Sequence, residues 1–340
     1  MTTDQDEMKM MAETTTGENG VASTVASSSS RRAAFYFECF VLVIGIIGVA
    51  ANALVLYALV ASKQHKKHEL IVNQNVLDLY SCLFLIITYG LKLCNIQLSG
   101  SLGYWLCMLV LNENLLWCGV YGSFINLTFI AIERYLKVVH SVWSKKHLQK
   151  RVIYAAMAFA WIGAFVHMMV VGFESSAVIN GACFGFVIWK SPETGTAYGI
   201  FYFLSAYVIV LMIFVFCYGN ILCVVRRQAR LMASYGNSAQ TQSNKIQLNV
   251  IKTMTLVCAF YAVAWLPENI YFLLMSLNLN LSLLDRGYYV ALFVAFLYIC
   301  ANPFIYATKF DPVRRILKAL ILCKDSPDPN DGSFQMPMMT

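Results

Sequence analysis

Seven apolar stretches divide this chain, and each is long enough for a helix to cross a membrane. A helical span needs about 20 predominantly apolar residues. Because 59% of the residues are hydrophobic and only 13% are charged, the chain is too apolar for an ordinary soluble domain. The sequence therefore predicts an all-α membrane protein, built as a seven-transmembrane helix bundle. The predicted spans run approximately from Ala33 to Ala61, Glu69 to Leu93, Tyr104 to Val139, Val152 to Gly172, Thr196 to Val225, Ile246 to Leu277 and Arg286 to Thr308.

The basic residues fall mainly on one side of these spans. The chain carries 25 Lys and Arg residues and a formal net charge of +7, a balance that also occurs in proteins that bind nucleic acid. However, the segments after the first, third and fifth spans are rich in Lys and Arg, whereas the opposite segments carry few. Since basic loops stay in the cytosol, we expect an extracellular N-terminus, a cytosolic C-terminus, a place in the plasma membrane and no nucleic-acid partner.

Four regions follow from this pattern. Residues 1–32 are rich in Thr, Ser and acidic residues without an apolar signal sequence, which predicts a disordered extracellular tail. Residues 33–310 form the membrane domain. Residues 311–323 place apolar and basic side chains on different faces of a helix, which is typical of a short amphipathic helix lying on the surface of the membrane lipid. Residues 324–340 are predicted to be a disordered cytosolic tail.

An ionisable side chain deep in a membrane span is costly and therefore marks a candidate functional site. Asp78 lies in the middle of the second span, and its candidate partners are Asn52 in the first span, Ser123 in the third and Asn302 in the seventh. Such a cluster could bind a sodium ion or a proton and bias how the helices pack. The alternative is a satisfied hydrogen-bond network between helices. No other cofactor or metal is indicated.

The inner end of the third span carries Glu133, Arg134 and Tyr135 in succession, so that the carboxylate can neutralise the guanidinium near the cytosol. The surrounding block, Asn126-Leu-Thr-Phe-Ile-Ala-Ile-Glu-Arg-Tyr-Leu-Lys-Val-Val-His140, resembles the third-helix signature of rhodopsin-like (class A) G-protein-coupled receptors. Other signatures of that family follow in order along the seven spans. They are Asn52, Asp78, Trp161, Ala264-Trp265-Leu266-Pro267 and Asn302-Pro303-Phe304-Ile305-Tyr306, and the resemblance extends from about Ala33 to Cys323.

The resemblance implies a receptor that binds an extracellular ligand and activates heterotrimeric G proteins. In such receptors the sixth helix moves outward and opens a cytosolic cleft, whose floor is lined by the third-helix arginine. Pro267 and Pro303 each remove a backbone hydrogen bond within a helix and so create a kink. Arrestin and receptor kinases are further candidate partners, through Ser and Thr residues of the inner loop and tail. The residues assigned to the switch and to G-protein coupling are Glu133, Arg134, Tyr135, Val142, Tyr218, Tyr261, Trp265, Pro267, Asn302, Pro303 and Tyr306.

The same resemblance restricts the ligand. The seventh span lacks the lysine that retinal requires, with Phe296 at the matching place, and the aspartate that aminergic relatives use is Leu116 here. The chain is therefore predicted to be neither an opsin nor a typical aminergic receptor. Glu268 in the sixth span could pair with a cationic amine or a basic peptide, or could form a hydrogen bond with Tyr271 or Tyr289. The predicted ligand pocket comprises Glu113, Leu116, Trp117, Trp265, Glu268, Asn269, Phe272 and Phe296.

Two departures from the family pattern affect these expectations. Gln247 stands where many members carry a glutamate that pairs with the third-helix arginine. We therefore expect a weak lock and some activity without ligand. Val210 stands where most members have a proline in the fifth span, so that the shape of the pocket on that side is not transferred.

Eleven cysteines occur singly, without the paired spacing of a zinc or redox site. The family resemblance implies a disulfide between Cys107, at the outer end of the third span, and Cys183 in the second outer loop. Cys107 nevertheless lies further from Arg134 than is usual in the family.

Cys323 is a candidate palmitoylation site, with an unmodified thiol as the alternative. Asn280 begins the one glycosylation sequon expected outside, and its use is left open.

A transporter or ion channel is the main alternative function, since Asp78 and Glu268 could serve an ion path. Such proteins often carry repeats or broken helices at matching places in two halves, and the sequence shows neither. No metalloprotease, nucleophile-elbow or phosphate-loop motif supports an enzyme. A receptor that acts without ligand, alone or as the partner of another receptor, is a third hypothesis.

Overall fold

The computed structural model is an α-helical membrane bundle with one short β-hairpin, which confirms the predicted fold. It describes the backbone of residues 3–185, 189, 191–232, 238–277, 281, 286–309 and 311–321, and the side chains of these residues except 3–31, 229–250, 311–312 and 321. Within this part of the chain, seven helical segments are long and apolar enough to cross a membrane. They are Arg32–Ala61, Glu69–Leu93, Gly100–Val139, Lys150–Ser175, Pro192–Gln228, Ile251–Ser276 and Arg286–Lys309.

The third span is at the centre of the bundle, where it packs against the second, fourth and fifth spans. The first span packs against the second and the seventh, and the seventh also contacts the sixth. Large apolar side chains such as Ile162 and Val215 face outward, with 63% and 75% of their surface exposed. Polar side chains such as Asn52 and Asn302 are fully buried instead. This pattern is the inverse of that in a soluble protein, and it is expected where lipid rather than water covers the surface.

The third span is broken, in contrast to the uninterrupted helix that the sequence predicts. It consists of an α-helix at Gly100–Leu106, a π-helical turn at Cys107–Leu111 and a long α-helix at Asn114–Val139. Glu113 lies between the last two with a left-handed backbone, φ 64°. The wide turn is closed by the N–H of Asn112, which donates to the carbonyl of Cys107 at 2.8 Å. Because a π turn accommodates extra residues, it absorbs the additional length between the disulfide cysteine and the Glu-Arg-Tyr motif.

The fifth span is interrupted in the same way. Its α-helices at Pro192–Tyr202 and Ile209–Met232 are joined by a π-helical segment at Phe203–Val208. This segment ends two residues before Val210, the position that lacks the expected proline. A π segment and a proline both interrupt the regular ladder of backbone hydrogen bonds. The fifth span is therefore interrupted near this position although it has no proline there.

The sixth span is also broken, at the predicted place. Its first helix, Ser238–Ala264, ends just before Trp265, and the chain resumes as Leu266–Ser276. Pro267 stands in the first turn of this second helix and has no N–H to donate to the preceding turn, in agreement with the expected kink. The seventh span is a single helix, Arg286–Lys309, and it continues through Pro303.

The segments between and around the spans include three further helices. The helix of the first span begins at Thr3 and ends at Ala61. The disordered extracellular tail over residues 1–32 stays a prediction from its composition. A 3₁₀ turn at Gln64–Lys66 follows the first span, and a short helix at Ser141–His147 follows the third. The helix after the seventh span covers Asp311–Ile321.

An antiparallel hairpin connects the fourth and fifth spans at one end of the bundle. Its strands are β1, Ser176–Ile179, and β2, Ala182–Gly185. The turn consists of Asn180 and Gly181 with φ values of 52° and 78°, the left-handed conformation that tight hairpins favour. A disulfide joins Cys183 of β2 to Cys107, with 5.3 Å between their Cα atoms, which confirms the predicted pair. We call this end of the bundle outer, and the opposite end, which carries Arg134, inner.

Candidate functional site

A cavity of 510 Å³ opens at the outer end of the bundle. Its volume is within the range of small-molecule sites. Half of the predicted pocket residues line it, and half are buried in the core without lining it. Those that line the cavity are Glu113, Trp117, Glu268 and Phe272. Those that are buried without lining it are Leu116, Trp265, Asn269 and Phe296.

Sequence reasoning missed much of the cavity wall. Five tyrosines line it, together with Glu38 of the first span and Phe184 of the hairpin. The tyrosines are Tyr89, Tyr198, Tyr202, Tyr288 and Tyr289. They come from the second, fifth and seventh spans, so that no spacing along the chain reveals their convergence. Their rings and hydroxyl groups make the wall aromatic and polar at once, a combination that suits cationic groups.

Glu113 is held firmly at the break in the third span. Its carboxylate accepts hydrogen bonds from Lys92 Nζ at 2.5 Å, from Tyr89 Oη at 2.9 Å and from Trp117 Nε1 at 3.1 Å. The ion pair with Lys92 compensates its charge. Glu113 therefore stabilises the outer ends of the second and third spans, and its negative charge is already matched by the protein.

Glu268 lies deeper and is only 2% exposed. Its Oε2 atom accepts hydrogen bonds from the side-chain amide of Asn269 at 3.1 Å and from the hydroxyl of Tyr202 at 3.5 Å, a partner not considered from the sequence. Within the described part of the chain, no Lys or Arg lies within ion-pair distance of Glu268. A buried carboxylate normally has a counter-charge, so the cavity contains an unmatched acid.

Aromatic rings connect the cavity to the centre of the bundle. The ring of Trp117, in the cavity wall, lies 6.1 Å from that of Trp265. Trp265 lies 4.7 Å from Phe124, and Phe124 lies 5.1 Å from Tyr261. Trp265 and Tyr261 are fully buried. Since close-packed interiors transmit displacements rather than absorb them, this column can carry a movement of Trp117 toward the inner end.

Two tyrosines link the fifth and sixth spans at the end of this column. Tyr207 Oη donates a hydrogen bond to the carbonyl of Ala262 at 2.7 Å, and Tyr261 Oη donates to the carbonyl of Ala206. Tyr207 and Ala206 lie in the π-helical segment of the fifth span. An outward movement of the sixth span must therefore break or exchange both hydrogen bonds.

Asp78 is buried at the centre of the bundle and receives three hydrogen bonds. The donors are Asn302 Nδ2 at 2.9 Å, Ser123 Oγ at 3.0 Å and Gln74 Nε2 at 3.3 Å. Gln74 is absent from the predicted cluster, although it lies one helical turn before Asp78, a spacing that could have shown it. Asn52 belongs to the predicted cluster but does not contact the carboxylate through a hydrogen bond. Its amide donates at 3.0 Å to a carbonyl one turn earlier in its own helix.

Arg134 is buried at the inner end and is held by two groups. Its guanidinium lies 3.2 Å from the carboxylate of Glu133 and 3.1 Å from Nδ1 of His68. Glu133 also pairs with Lys137 at 2.6 Å. His68 stands directly before the second span, among lysines that indicate only the topology, so that sequence reasoning missed it. The structure thus gives Arg134 a restraint in addition to the predicted acid.

The structure also places further residues that the family resemblance assigns to the switch. Tyr218 and Tyr306 are buried, and the hydroxyl of Tyr306 has no hydrogen-bond partner among the described residues. The hydroxyl of Tyr135 contacts His140 at 3.1 Å. Val142 is 84% exposed on the short helix after the third span, where a partner protein can reach it. Asn280, Cys323 and the side chain of Gln247 lie outside the described residues.

Burial and then the positive charges of Arg134, Lys137 and Lys67 lower the pKa of His68 from 6.5 to about 3. The imidazole is therefore neutral and can accept a hydrogen bond from Arg134. A state that releases His68 to water restores its ordinary pKa, and that state binds the proton first when the pH falls below 6.5. Acidification of the inner side therefore favours the release of Arg134.

If the chain activates G proteins, as the family resemblance implies, and release of His68 accompanies activation, lowering the inner pH from about 7.4 to about 6 should raise basal activation roughly fourfold. The measurement is nucleotide exchange on a G protein by receptor-containing membranes buffered at each pH. His68→Gln is the matched control, because its amide can accept the same hydrogen bond without titrating. Equal pH dependence in the two receptors would contradict this role of His68.

Comparison with known proteins agrees with the geometry. A family model described as 7 transmembrane receptor (rhodopsin family) matches residues 51–306. The somatostatin receptor type 5 of Bos taurus is 25% identical over 321 residues, which cover 90% of this chain and 81% of the relative. The allatostatin-A receptor of Bombyx mori is 23% identical, with 87% and 82% coverage. The melanin-concentrating hormone receptor 1 of Macaca mulatta is 25% identical, with 80% and 77% coverage.

The matched region contains the broken sixth span, the central Asp78 network and the restrained Arg134, and it ends at Tyr306. A series of packed aromatic rings thus leads from the outer cavity to Tyr261 inside the bundle. The chain therefore belongs to the rhodopsin family of seven-transmembrane receptors, and it is a G-protein-coupled receptor for an extracellular ligand.

Proposed function

We propose that the extracellular ligand carries one compact cationic group, which pairs with Glu268. The observation that carries this proposal is the burial of Glu268 in the cavity wall without a basic partner among the described residues. A cation placed against this carboxylate would form charge-assisted hydrogen bonds. It would also offset the cost of burying the acid, which the protein alone does not compensate.

The other charges of the cavity support a cation rather than an anion. The lining contains three carboxylates, those of Glu38, Glu113 and Glu268, and one lysine, Lys92. Lys92 pairs directly with Glu113 and also attracts Glu38 electrostatically. Negative charge is therefore in excess, and an anionic ligand would be repelled.

The cavity also limits the size and type of the cationic group. A volume of 510 Å³ accommodates a small amine, or one end of a basic peptide. Tyr202 and Phe272 stand beside Glu268, with ring centroids 5.4 Å apart, and offer faces to which a cation is attracted. The relatives are named after somatostatin, allatostatin-A and melanin-concentrating hormone, and identities of 23% to 25% do not carry any one of these ligands to this chain.

A screen of charged and neutralised ligand pairs tests this proposal. Cells that express the full-length receptor are exposed to amines and basic peptides, each beside an N-acetylated counterpart that lacks the charge. Active compounds should lose about 100-fold in potency on acetylation, because an unpaired buried charge costs several kcal/mol. The Arg134→Ala receptor serves as the signalling-deficient control. Equal potency of charged and acetylated compounds would contradict the proposal.

We further infer that the outer end faces the extracellular space and the inner end the cytosol, in the plasma membrane. The disulfide-linked hairpin at the outer end suits an oxidising compartment, and the basic loops at the other end suit the cytosol. G proteins, and also arrestin and receptor kinases, would then act at the end that carries Arg134 and Val142. The helix Asp311–Ile321 would lie on the inner lipid surface. The match to a receptor family gives no support to a transporter, a channel or an enzyme.

A further inference from the structure

The sequence leaves a sodium ion, a proton or a hydrogen-bond network as alternatives at Asp78, and the surrounding residues can be tested for their fit to the ion. A hard cation requires oxygen atoms whose lone pairs point toward it. The carboxylate of Asp78 instead faces three groups that donate hydrogen bonds, on Gln74, Ser123 and Asn302. Gln74 Nε2 also contacts the hydroxyl oxygen of Ser123. The lone pairs of Asp78 and Ser123 that a cation would use are therefore directed at an amide.

The orientation of this amide follows from a chain of hydrogen bonds that begins at Trp161. The indole Nε1–H can only donate, and it donates to Asn73 Oδ1 at 3.0 Å. Asn73 Nδ2 must then face Asn126 Oδ1, at 2.8 Å. Asn126 Nδ2 in turn donates to Gln74 Oε1, at 2.9 Å. The oxygen of Gln74 thus points to Asn126, and its NH₂ group points to Asp78.

Reversing the amide of Gln74 would break the chain at both ends. Its oxygen would then face the carboxylate of Asp78, and its NH₂ group would face the NH₂ group of Asn126. Asn126 cannot reverse in compensation, because its Nδ2 also donates to the carbonyl of Leu70 at 3.0 Å. Donor and acceptor positions are therefore fixed from the fourth span to Asp78.

We propose that the side-chain amide of Gln74 takes the place of a sodium ion at Asp78, so that this receptor changes state without sodium. The residues around Asp78 do not fit the ion, since the space next to Asp78 Oδ1 and Ser123 Oγ is filled by NH₂ hydrogens, which repel a cation. Asn302 Oδ1 is a buried acceptor without a partner among the described residues. A single such oxygen does not form a cation site while Gln74 occupies the other side of the carboxylate.

The experiment compares the full-length wild-type receptor with Gln74→Leu, in membranes that contain either sodium chloride or potassium chloride at equal ionic strength. Leucine is shorter and removes the amide, so that Asp78 and Ser123 become available to the ion. Basal nucleotide exchange on the G protein should differ less than about twofold between the salts for the wild type. It should fall at least about fivefold in sodium for Gln74→Leu, the lower range of allosteric coupling.

A second measurement does not depend on signalling. Sodium binding to the folded receptor raises its thermal stability by mass action. The unfolding temperature of the detergent-solubilised Gln74→Leu receptor should therefore rise with sodium relative to potassium, whereas that of the wild type should not. Asn75→Leu is the matched control, because the buried amide of Asn75 donates to the carbonyl of Ile71 in its own helix, at 2.9 Å, and lies outside the chain of hydrogen bonds.

Two further variants keep the proposal testable if Gln74→Leu does not fold. Gln74→Ala opens the same space with a smaller side chain, and Trp161→Phe removes the donor that fixes the orientation of the amides. Both should gain sodium dependence, the second more weakly. The proposal is overturned if the wild type responds to sodium in either measurement. It is also overturned if the folded Gln74 variants respond no more than Asn75→Leu does.

Discussion

Replacing Glu268 by Gln should lower the potency of a cationic ligand by about 100-fold. Removing one partner of a buried, hydrogen-bonded charge pair typically costs 2–5 kcal/mol, roughly 30-fold to more than 1,000-fold in affinity. Glutamine keeps the size of the side chain and can still accept a hydrogen bond from Tyr202. The expected loss therefore reports the charge and not the shape of the cavity. It is measured as the shift in a concentration–response curve for the most potent amine or basic peptide of the ligand screen.

Glu38→Gln is the matched control for this substitution. It makes the same chemical change in the wall of the same cavity, at a carboxylate that Lys92 already attracts. We expect a shift of less than about threefold for this variant, the scale of an exposed or compensated charge. An acetylated ligand should lose no further potency on Glu268→Gln, because the two changes remove the same interaction. Similar shifts for the two acids, or additive losses with acetylation, would argue against Glu268 as the cation anchor.

Replacing His68 by Ala should raise ligand-independent G-protein activation by about tenfold or more. A hydrogen bond to a charged group contributes about 1.5–3 kcal/mol, and Arg134 would lose the one it forms with His68. Glu133 would remain as its restraint, but this acid also pairs with Lys137. The inactive arrangement would thus be weakened while the groups that engage the G protein stay intact. Basal nucleotide exchange is measured and normalised to the amount of receptor at the cell surface.

His65→Ala is the control for the His68 substitution, because it removes a histidine from the same short loop outside the contact with Arg134. Basal activation should be unchanged in this variant. Adding Arg134→Ala to His68→Ala should abolish the increase, since the released arginine is the group that acts. If His68→Ala leaves basal activation at the wild-type level, or if the increase survives the loss of Arg134, the restraint lies elsewhere.

Much of the fold could be predicted, because a membrane span is a length of apolar sequence. The second span was expected at Glu69 to Leu93, and its helix has these bounds. The seventh was expected to begin at Arg286, as it does. The breaks in the third and fifth spans could not be predicted in the same way. No proline marks either one, and a π turn is a change in hydrogen bonding that hydrophobic periodicity does not detect.

The candidate site was predictable where one residue type carries the signal. An acid in a span is conspicuous by itself, which applies to Asp78, Glu113 and Glu268. The residue that pairs with such an acid cannot be identified in this way, because pairing depends on the packing of segments that are distant in the sequence. Lys92 and His68 are ordinary basic residues near the ends of spans until the bundle places them against Glu113 and Arg134. The sequence alone therefore shows where the charged residues lie. It does not show which of them are paired with an opposite charge.

The π turn at Cys107–Leu111 determines how this receptor should be aligned with other members of its family. Each residue of an α-helix advances the chain by about 100° of rotation. Deleting one residue from the regular α-helix further inward would therefore rotate the outer end of the span by that angle and carry Cys107 away from Cys183. The π turn, in contrast, can lose its extra residue and become an α turn. An alignment gap placed here, and at no point further inward, keeps the cysteine and the Glu-Arg-Tyr motif in register together. Natural insertions and deletions between Cys107 and Arg134 should accordingly fall in this turn, and the length of the hairpin should not have to change with them.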